Sequence, residues 1–269
     1  GIDPPDHTRL RRLVSKAFTP RTIEALRPRI QELVDDALDR IAEQGQADVI
    51  AELAFPLPFD VISEMLGMPA GDTEALRAWS EDIVKTIDPI ITEDEIKAAV
   101  VANRLMDQYM AGVIEWKREN PADDLLTAMI EAEEDGDKMS SKELSDQVNL
   151  LFIAGHETTV NLIGTGIADL LSRPDQAQSI RDNGLEMNGV DELLRFVSPV
   201  QMSRRITTQD VTIDGRAIPT GTMVMAALAS ANRDTNKWGP TADELDLGRD
   251  GAGQHLSFGS GIHYCLGAS

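Results

Sequence analysis

The chain is poor in cysteine, in aromatic residues and in basic charge. Cys265 is the only cysteine among 269 residues, which excludes an internal disulfide framework and fits a reducing compartment, so we expect a cytoplasmic protein. The formal net charge is −21, the opposite of the basic footprint that a nucleic-acid-binding protein needs. Aromatic residues make up only 4% of the chain, but hydrophobic residues make up 42%, which is enough for a globular core.

A long uninterrupted hydrophobic run is also missing. The most apolar stretch, residues 148–171, contains strongly polar or charged residues, among them Asn149, His156, Glu157, Asn161 and Asp169. Such side chains are costly in the hydrocarbon core of a bilayer. We therefore predict a buried central helix here and no membrane as a partner.

Apolar residues recur at helical spacing through residues 1–199. The pattern predicts a short helix over residues 6–17 and one long amphipathic helix over residues 22–44. The sequence Ser140-Ser-Lys-Glu143 has the serine and the glutamate of a capping box. It predicts that another long helix begins there and continues through the apolar stretch.

The sequence pattern changes after Pro199. Residues 200–231 alternate in polarity and are rich in β-branched side chains, and Asp214-Gly215 is a hairpin signal. Residues 232–269 are rich in Gly and Asp and contain Pro240, which predicts a meander and a loop around the cysteine. The whole sequence predicts a single domain over residues 1–269, with a mainly α fold and a small β portion.

Cys265 has the clearest chemical context in the chain. It lies in the stretch Phe258-Gly-Ser-Gly-Ile-His-Tyr-Cys-Leu-Gly267, where glycines allow close backbone approach and N–H groups that can turn toward a sulfur. A thiolate ligand pushes electron density onto heme iron and favours O–O cleavage. Two other interpretations are open. A lone cysteine is commonly a small buried hydrophobe, and His255, His263 and Cys265 offer three zinc ligands, without the paired spacing of a structural zinc site.

The pattern Phe-x-x-Gly-x-x-x-Cys-x-Gly resembles the heme-ligand signature of the cytochrome P450 family of heme-thiolate monooxygenases. The resemblance implies a P450-like helical fold, which we expect to be truncated at both ends, and one heme b (iron protoporphyrin IX). It implies that Cys265 is the axial ligand of the heme iron. Phe258, Gly259, His263 and Gly267 of the same loop are then expected to contact the heme.

A second motif, Ala154-Gly-His-Glu-Thr-Thr159, lies within the apolar stretch. A buried acid needs a compensating partner or a function, although an arbitrary glutamate commonly turns to solvent or pairs with an arginine. The Thr158 hydroxyl can bond back to the Ala154 carbonyl and so open a local groove in the helix. The resemblance places this motif over the heme, with Glu157 relaying protons and Thr158 hydrogen-bonding near bound O2. It also implies that Ala154 and Gly155 line the cofactor, Gly155 leaving room for the oxygen.

Several basic side chains are candidates for binding the two heme propionates. His7 and Arg11 are i, i+4 neighbours and share one helical face, although a plain basic helix face has the same pattern. The resemblance implies that His7, Arg11, Arg205 and His263 donate charge-assisted hydrogen bonds to the propionates. Arg204 remains an alternative to Arg205.

Glu192-Leu-Leu-Arg195 puts opposite charges on one helical face. Alone, such a pair is typical of a solvated surface. Its position between the two motifs resembles a buried structural pair of the P450 family, with Arg249 as third partner. We assign these three residues to folding rather than to chemistry.

Together the motifs predict a monooxygenase that inserts one oxygen atom from O2 into a small, partly hydrophobic organic substrate. The resemblance implies electrons from NAD(P)H through a ferredoxin reductase and a ferredoxin. Basic residues crowd the first thirty positions, which suggests a docking face for an acidic ferredoxin, with solvated helix charges as the alternative. The alternative functions are a peroxide-driven peroxygenase, a reductase and a non-catalytic heme-binding sensor. The Glu157–Thr158 pair disfavours the peroxygenase and the reductase, because neither chemistry needs a proton relay.

Overall fold

The computed structural model describes residues 2–18, 20–71, 73–88, 90–134 and 136–268. Helices dominate and short strands are few, which confirms the mainly α fold with a small β portion. The chain forms two compact units, and the boundary falls between Val160 and Asn161. The single domain over residues 1–269, and its division at residues 199 and 231, remain predictions.

The first unit is built almost entirely from helices. They are α1 (Asp6–Ala17), α2 (Pro20–Ala25), α3 (Arg27–Gln44), α4 (Pro56–Met65), α5 (Thr73–Val84), α6 (Glu93–Glu119), α7 (Leu125–Glu131) and α8 (Ser141–Leu171), which continues past Val160. A π-helical turn, Ile50–Ala54, precedes α4. Two short antiparallel strands, β1 (Glu133–Glu134) and β2 (Asp137–Lys138), precede α8.

The helix predicted over residues 22–44 is in fact two helices. α2 ends at Ala25, and α3 begins at Arg27 with Leu26 as its N-cap residue. Pro28 lies in the first turn of α3, where its missing N–H is harmless. Inside a continuous helix the same ring would remove a hydrogen bond and clash with the preceding turn. The apolar spacing continues across the break, so periodicity alone misses it.

The predicted capping box at the start of α8 is present. The Ser140 N–H donates to Glu143 Oε2 at 2.8 Å, and the Glu143 N–H donates to Ser140 Oγ at 3.3 Å. Arg9 of α1 forms ion pairs with Glu143 and Asp137, so it ties α1 to the start of α8. The hydrogen bonds from Ser140, together with Arg9, hold the pKa of Glu143 below its usual value.

In the first unit, α8 is buried along one face. Leu144, Val148, Phe152 and His156 recur every four residues and are at most 2% exposed, whereas Leu150 is 58% exposed. In this unit the predicted buried central helix is therefore buried on one face only. None of the helices in the described part of the chain is both long enough and apolar enough to cross a bilayer.

A buried ion pair fixes the corner between α6 and α7. Lys117 Nζ lies 2.6 Å from Asp124 Oδ2, and the two side chains are 2% and 8% exposed. Asp124 also caps α7, because its Oδ1 accepts the N–H of Thr127 at 2.8 Å. A Cβ atom on Gly67 would lie 2.2 Å from Asp124 Oδ2, so a glycine is needed where the chain passes this pair.

The second unit, Asn161–Ala268, combines short helices with short strands. Its elements after α8 are α9 (Pro174–Asn183), α10 (Met187–Val197), β3 (Met202–Ile206), β4 (Val211–Ile213), β5 (Arg216–Ile218), β6 (Met223–Ala227), α11 (Leu228–Ala231) and α12 (Thr235–Trp238). β3 pairs with β6, and β4 pairs with β5, both antiparallel. Asp214 and Gly215 join β4 to β5 with φ values of 48° and 74°, the two positive values that a type I′ hairpin turn requires.

The core of the second unit forms around α10. Leu193, Phe196 and Leu245 are buried together there. The guanidinium of Arg233 lies 4.1 Å from the centre of the Phe196 ring, and that of Arg173 lies 4.9 Å from it. These cation–π contacts cover the ring with charged groups that still reach solvent.

Candidate functional site

The cysteine loop of the second unit presents an exposed thiol. The Cys265 side chain is exposed and free, and its N–H donates to the carbonyl of Phe258 at 2.9 Å, which closes the loop. Gly259 and Gly261 have φ values of 72° and 70°, in the left-handed region that favours glycine. The loop therefore depends on its glycines for its shape and leaves the sulfur available as a ligand.

Asn232 anchors the start of this loop. It has no exposed surface, its Nδ2 donates to Ser198 Oγ at 2.9 Å and Ser257 Oγ at 3.0 Å, and its Oδ1 accepts the N–H of Leu256 at 2.7 Å. Ser257 Oγ in turn donates to the carbonyl of Leu194 at 2.6 Å. Asn232 was not predicted from the sequence, because nothing local distinguishes it from a loop asparagine.

The second motif lies on α8 in the first unit. The Thr158 hydroxyl donates to the carbonyl of Ala154 at 2.9 Å, as predicted. The Thr159 hydroxyl makes the same kind of bond to Gly155, at 3.3 Å. The helix continues unbroken from Ser141 to Leu171, and the local groove stays a prediction. Ala154 and Gly155 are exposed, and the Glu157 side chain is 17% exposed.

Gly155 also has a packing role that the sequence did not indicate. A Cβ atom at this position would lie 3.0 Å from Cγ1 and Cδ1 of Ile62 on α4. That distance is shorter than normal van der Waals contact, so the glycine lets α4 and α8 approach closely. The missing side chain of Gly155 therefore allows close packing of α4 against α8.

The predicted propionate ligands fall into two groups. His7 and Arg11 are half-buried on α1 in the first unit. Arg205 is exposed on β3, and His263 is half-buried in the cysteine loop. Consecutive strand residues point to opposite faces, so Arg204 and Arg205 cannot serve the same face, and the choice between them stays a prediction.

The zinc alternative finds no ligand set. No three His, Cys, Asp or Glu side chains in the described ranges come together as they would to hold a metal ion. His255 instead accepts the N–H of Ser257 at its Nδ1 and faces Asp191. Of the three candidate zinc ligands, Cys265 therefore remains a candidate metal ligand without the two histidines.

The sequence matches the family model for cytochrome P450 over residues 2–189 and 185–269. The chain belongs to the cytochrome P450 family. The structure agrees: it resembles the P450 PksS of the bacillaene polyketide synthase from Bacillus subtilis 168 with a TM-score of 0.90 and 41% identity, over 99% of this chain and 67% of that one. The predicted P450-like fold is therefore confirmed.

Curated P450 relatives align along nearly the whole chain. A vitamin D(3) 25-hydroxylase from Pseudonocardia autotrophica is 46% identical over 270 residues, which are 99% of this chain and 65% of the relative. The P450 monooxygenase PikC from Streptomyces venezuelae is 43% identical over 271 residues, which are 99% of this chain and 63% of the relative. The chain thus spans a little under two thirds of the length of these relatives.

Heme b is the cofactor of the P450 family, and the cysteine loop fits it. A Cβ atom on Gly261 or Gly267 would meet nothing within 4 Å, and one on Gly259 would meet only the His263 carbonyl oxygen, at 3.9 Å. These three glycines are therefore not closely packed against other described residues, which leaves room for a flat macrocycle. A single accessible thiol is the donor that heme-thiolate ligation needs.

The predicted ionic network of the P450 fold is present in the second unit. Arg195 Nε donates to Glu192 Oε2 at 2.6 Å, and Arg249 Nε donates to Glu192 Oε1 at 3.1 Å. Arg195 also donates to the carbonyls of Asn232 and Ala242, at 2.6 and 2.8 Å. Through Asn232 the network reaches the residues that hold the cysteine loop, which supports a role in folding.

The hydrogen bond between His255 and Ser257, at the start of the cysteine loop, depends on pH. It is buried, its Nδ1 accepts the Ser257 N–H at 3.1 Å, and its Nε2 lies 3.7 Å from Asp191 Oδ1. Burial lowers the pKa of His255 below its usual value, and Asp191 partly opposes that effect. A proton on Nδ1 would displace the Ser257 N–H, so only the neutral ring keeps this contact.

We expect His255 to make the protein less stable in mild acid. Because its pKa is lower in the folded state, the unfolded chain binds more protons once the pH falls below about 6.5, the usual value for histidine. The stabilising contribution is full above that pH and is lost as the pH falls through the folded-state pKa. Urea titrations of the wild type and of His255→Asn at several pH values measure this difference. Equal pH slopes of the free energy of unfolding in the two proteins would contradict it.

Proposed function

We propose that this protein is a heme-thiolate monooxygenase that inserts one oxygen atom from O2 into a partly hydrophobic organic substrate. The observation that carries the proposal is the pairing of an exposed, glycine-framed thiol with an acid–alcohol motif in one P450 chain. The overall reaction consumes one O2, two electrons and two protons, and releases hydroxylated product and one water. When bound, the heme supplies the iron at which O2 is reduced and split.

The acid–alcohol motif handles protons in this proposal. Glu157 is partly exposed and can take a proton from solvent, while Thr158 holds its hydroxyl on the Ala154 carbonyl. That hydroxyl is both a donor and an acceptor, so it can release the carbonyl and donate toward an oxygen atom beside the helix. The exposed Ala154 presents only a methyl group beside it.

The partly hydrophobic substrate is proposed to be a ring compound. Named relatives include a 6-deoxyerythronolide B hydroxylase, 40% identical to this chain, and a vitamin D(3) 25-hydroxylase. A structural neighbour with a TM-score of 0.86 and 35% identity was solved with testosterone. Rings of this kind share an extensive apolar surface and a few polar groups, which suits a pocket that selects by shape.

Electrons are proposed to come from NAD(P)H through a ferredoxin reductase and a ferredoxin. Basic side chains of the first unit are candidates for the docking face of an acidic partner. Arg12 and Lys16 are exposed on α1 and belong to this proposed face.

Labelled oxygen tests the proposal. With ¹⁸O2, an electron source and a substrate, we expect one labelled atom in the product and one equivalent of NAD(P)H used per product. We expect Thr158→Ala to reduce product formation about 10²-fold, the usual contribution of a positioned proton donor, and to divert O2 to hydrogen peroxide. Thr159→Ala removes the same kind of hydroxyl one residue along and is the matched control.

Two outcomes would favour other functions. Product formed from hydrogen peroxide alone at the full rate, without label from O2, would indicate a peroxygenase. Heme binding without substrate-dependent O2 consumption would indicate a sensor. Equal product yields from Thr158→Ala and Thr159→Ala would remove the assigned role of Thr158.

A further inference from the structure

His156, between Gly155 and Glu157, is enclosed by aromatic rings. It has no exposed surface. Its ring centre lies 5.0 Å from that of Phe152, 5.7 Å from that of Phe59 and 6.0 Å from that of Phe55. An apolar enclosure of this kind disfavours a charged ring unless a partner of opposite charge is in contact with it.

The position of one ring proton follows from a single contact. Nδ1 of His156 lies 2.7 Å from the carbonyl oxygen of Phe152. A carbonyl oxygen only accepts hydrogen bonds, so Nδ1 carries the hydrogen. In the neutral ring Nε2 is then bare, and it carries a hydrogen only when the ring takes up a second proton.

The second ring nitrogen faces the acid of the acid–alcohol motif. Nε2 of His156 lies 3.4 Å from Oε1 of Glu157. It is buried and has no hydrogen-bond partner within the residues that the structure describes. A bare nitrogen and an ionised carboxylate would both present lone pairs at this distance, which is repulsive. One proton between them, on either atom, turns the contact into an attraction.

Two charged groups on α5 and α4 have other partners. On α5, the Arg77 guanidinium stacks on Phe55, 4.2 Å from its ring centre. On α4, Asp60 lies near Glu64, Arg29 and Arg40, and burial is the main reason that its pKa is raised. Within the described residues, Glu157 is the acid in contact with Nε2.

We propose that His156 is a positioning residue for Glu157 and that the two side chains share one proton, which is carried either by Nε2 or by Oε1. The inference rests on the proposed function, because it gives Glu157 a stored proton for the relay. Glu157 is the partly exposed member of the pair and His156 the fully buried one. Exchange with solvent therefore passes through Glu157, while His156 fixes the carboxyl group and keeps the proton in reserve.

Nitrogen NMR of the histidine rings tests the shared proton. The heme-loaded, reduced and CO-bound protein is diamagnetic, and His156→Phe identifies the His156 signals by their loss. We expect Nδ1 to be protonated in the wild type and Nε2 to show the signal of a nitrogen that shares a proton. In Glu157→Gln at the same neutral pH, Nε2 should move to the position of a bare nitrogen while Nδ1 stays unchanged. The same Nε2 signal in both proteins, or a bare Nδ1, would overturn the proposal.

Measurements of product formed per O2 distinguish a positioning role of His156 from a packing role. His156→Phe keeps an aromatic ring in the enclosure, and we expect it to lower product per O2 about tenfold, with more peroxide and a changed pH profile. Phe152→Leu loosens the same enclosure without touching either nitrogen, so it should lower stability and leave product per O2 unchanged. Equal losses of product per O2 in the two variants would show that His156 only fills space. If the wild type does not turn over O2 at all, the proposed function fails, and the NMR comparison still decides whether the pair shares a proton.

Discussion

Replacing Glu192 with alanine is expected to lower the free energy of unfolding by about 3–5 kcal/mol, the usual cost of leaving a buried charge without its partner. Glu192 and Arg195 have no exposed surface, and Arg249 is 8% exposed. Both carboxylate oxygens of Glu192 accept hydrogen bonds. Oε2 accepts from Arg195 Nε, and Oε1 accepts from Arg249 Nε, from Arg195 Nη2 at 2.8 Å and from the Asp246 N–H at 3.0 Å. Removal of the carboxylate would strand two guanidinium groups inside the second unit.

The chain contains its own control for this prediction. Glu24 and Arg27 have the same Glu-x-x-Arg spacing, but their side chains are 67% and 76% exposed. Exposed pairs of this kind contribute little, so Glu24→Ala should leave the unfolding midpoint close to that of the wild type. Urea unfolding followed by circular dichroism measures both variants. If Glu192→Ala unfolds at the same urea concentration as Glu24→Ala, the network is not a main support of the fold.

These two pairs show what sequence spacing can and cannot predict. Both put opposite charges on one helical face, and nothing within the four residues separates them. Only the resemblance to a known family identified Glu192 and Arg195 as the buried pair. Burial depends on the carbonyls of Asn232, Ala242 and Glu244, which lie far along the chain and converge on Arg195.

Local signals predicted much of the fold. The capping box at Ser140 and the hairpin turn at Asp214 are decided by neighbouring residues, so the sequence was enough. The break at Leu26 was missed because the apolar periodicity continues from α2 into α3 without interruption. The burial of α8 on one face depends on which elements pack against it, which periodicity does not report.

The same division holds for the candidate site. Cys265 and Thr158 stand in motifs whose residue types and spacing are unusual, so both were identified from the sequence. Asn232 was not identified, and the roles of His156 and His255 in the structure were not predicted. Their importance lies in bonds or contacts with distant residues, and a buried polar side chain looks the same in sequence as an exposed one.

Cys265→Ala is expected to abolish thiolate ligation of the heme and to reduce product formation to background. Cys265 is the only cysteine of the chain, so no other thiolate can replace it. Thiolate ligation favours cleavage of the O–O bond, and a heme held by another ligand would lose that contribution. Ser260→Ala changes an exposed side chain of the same loop and is the matched control, with the ligand intact.

The absorption spectrum of the reduced, CO-bound protein tests the central assignment of Cys265 most directly. We expect the wild type and Ser260→Ala to show the red-shifted Soret band of thiolate ligation, and Cys265→Ala to lack it. A spectrum typical of histidine ligation in the wild type, or a red-shifted band that persists in Cys265→Ala, would contradict the assignment of Cys265 as the heme ligand.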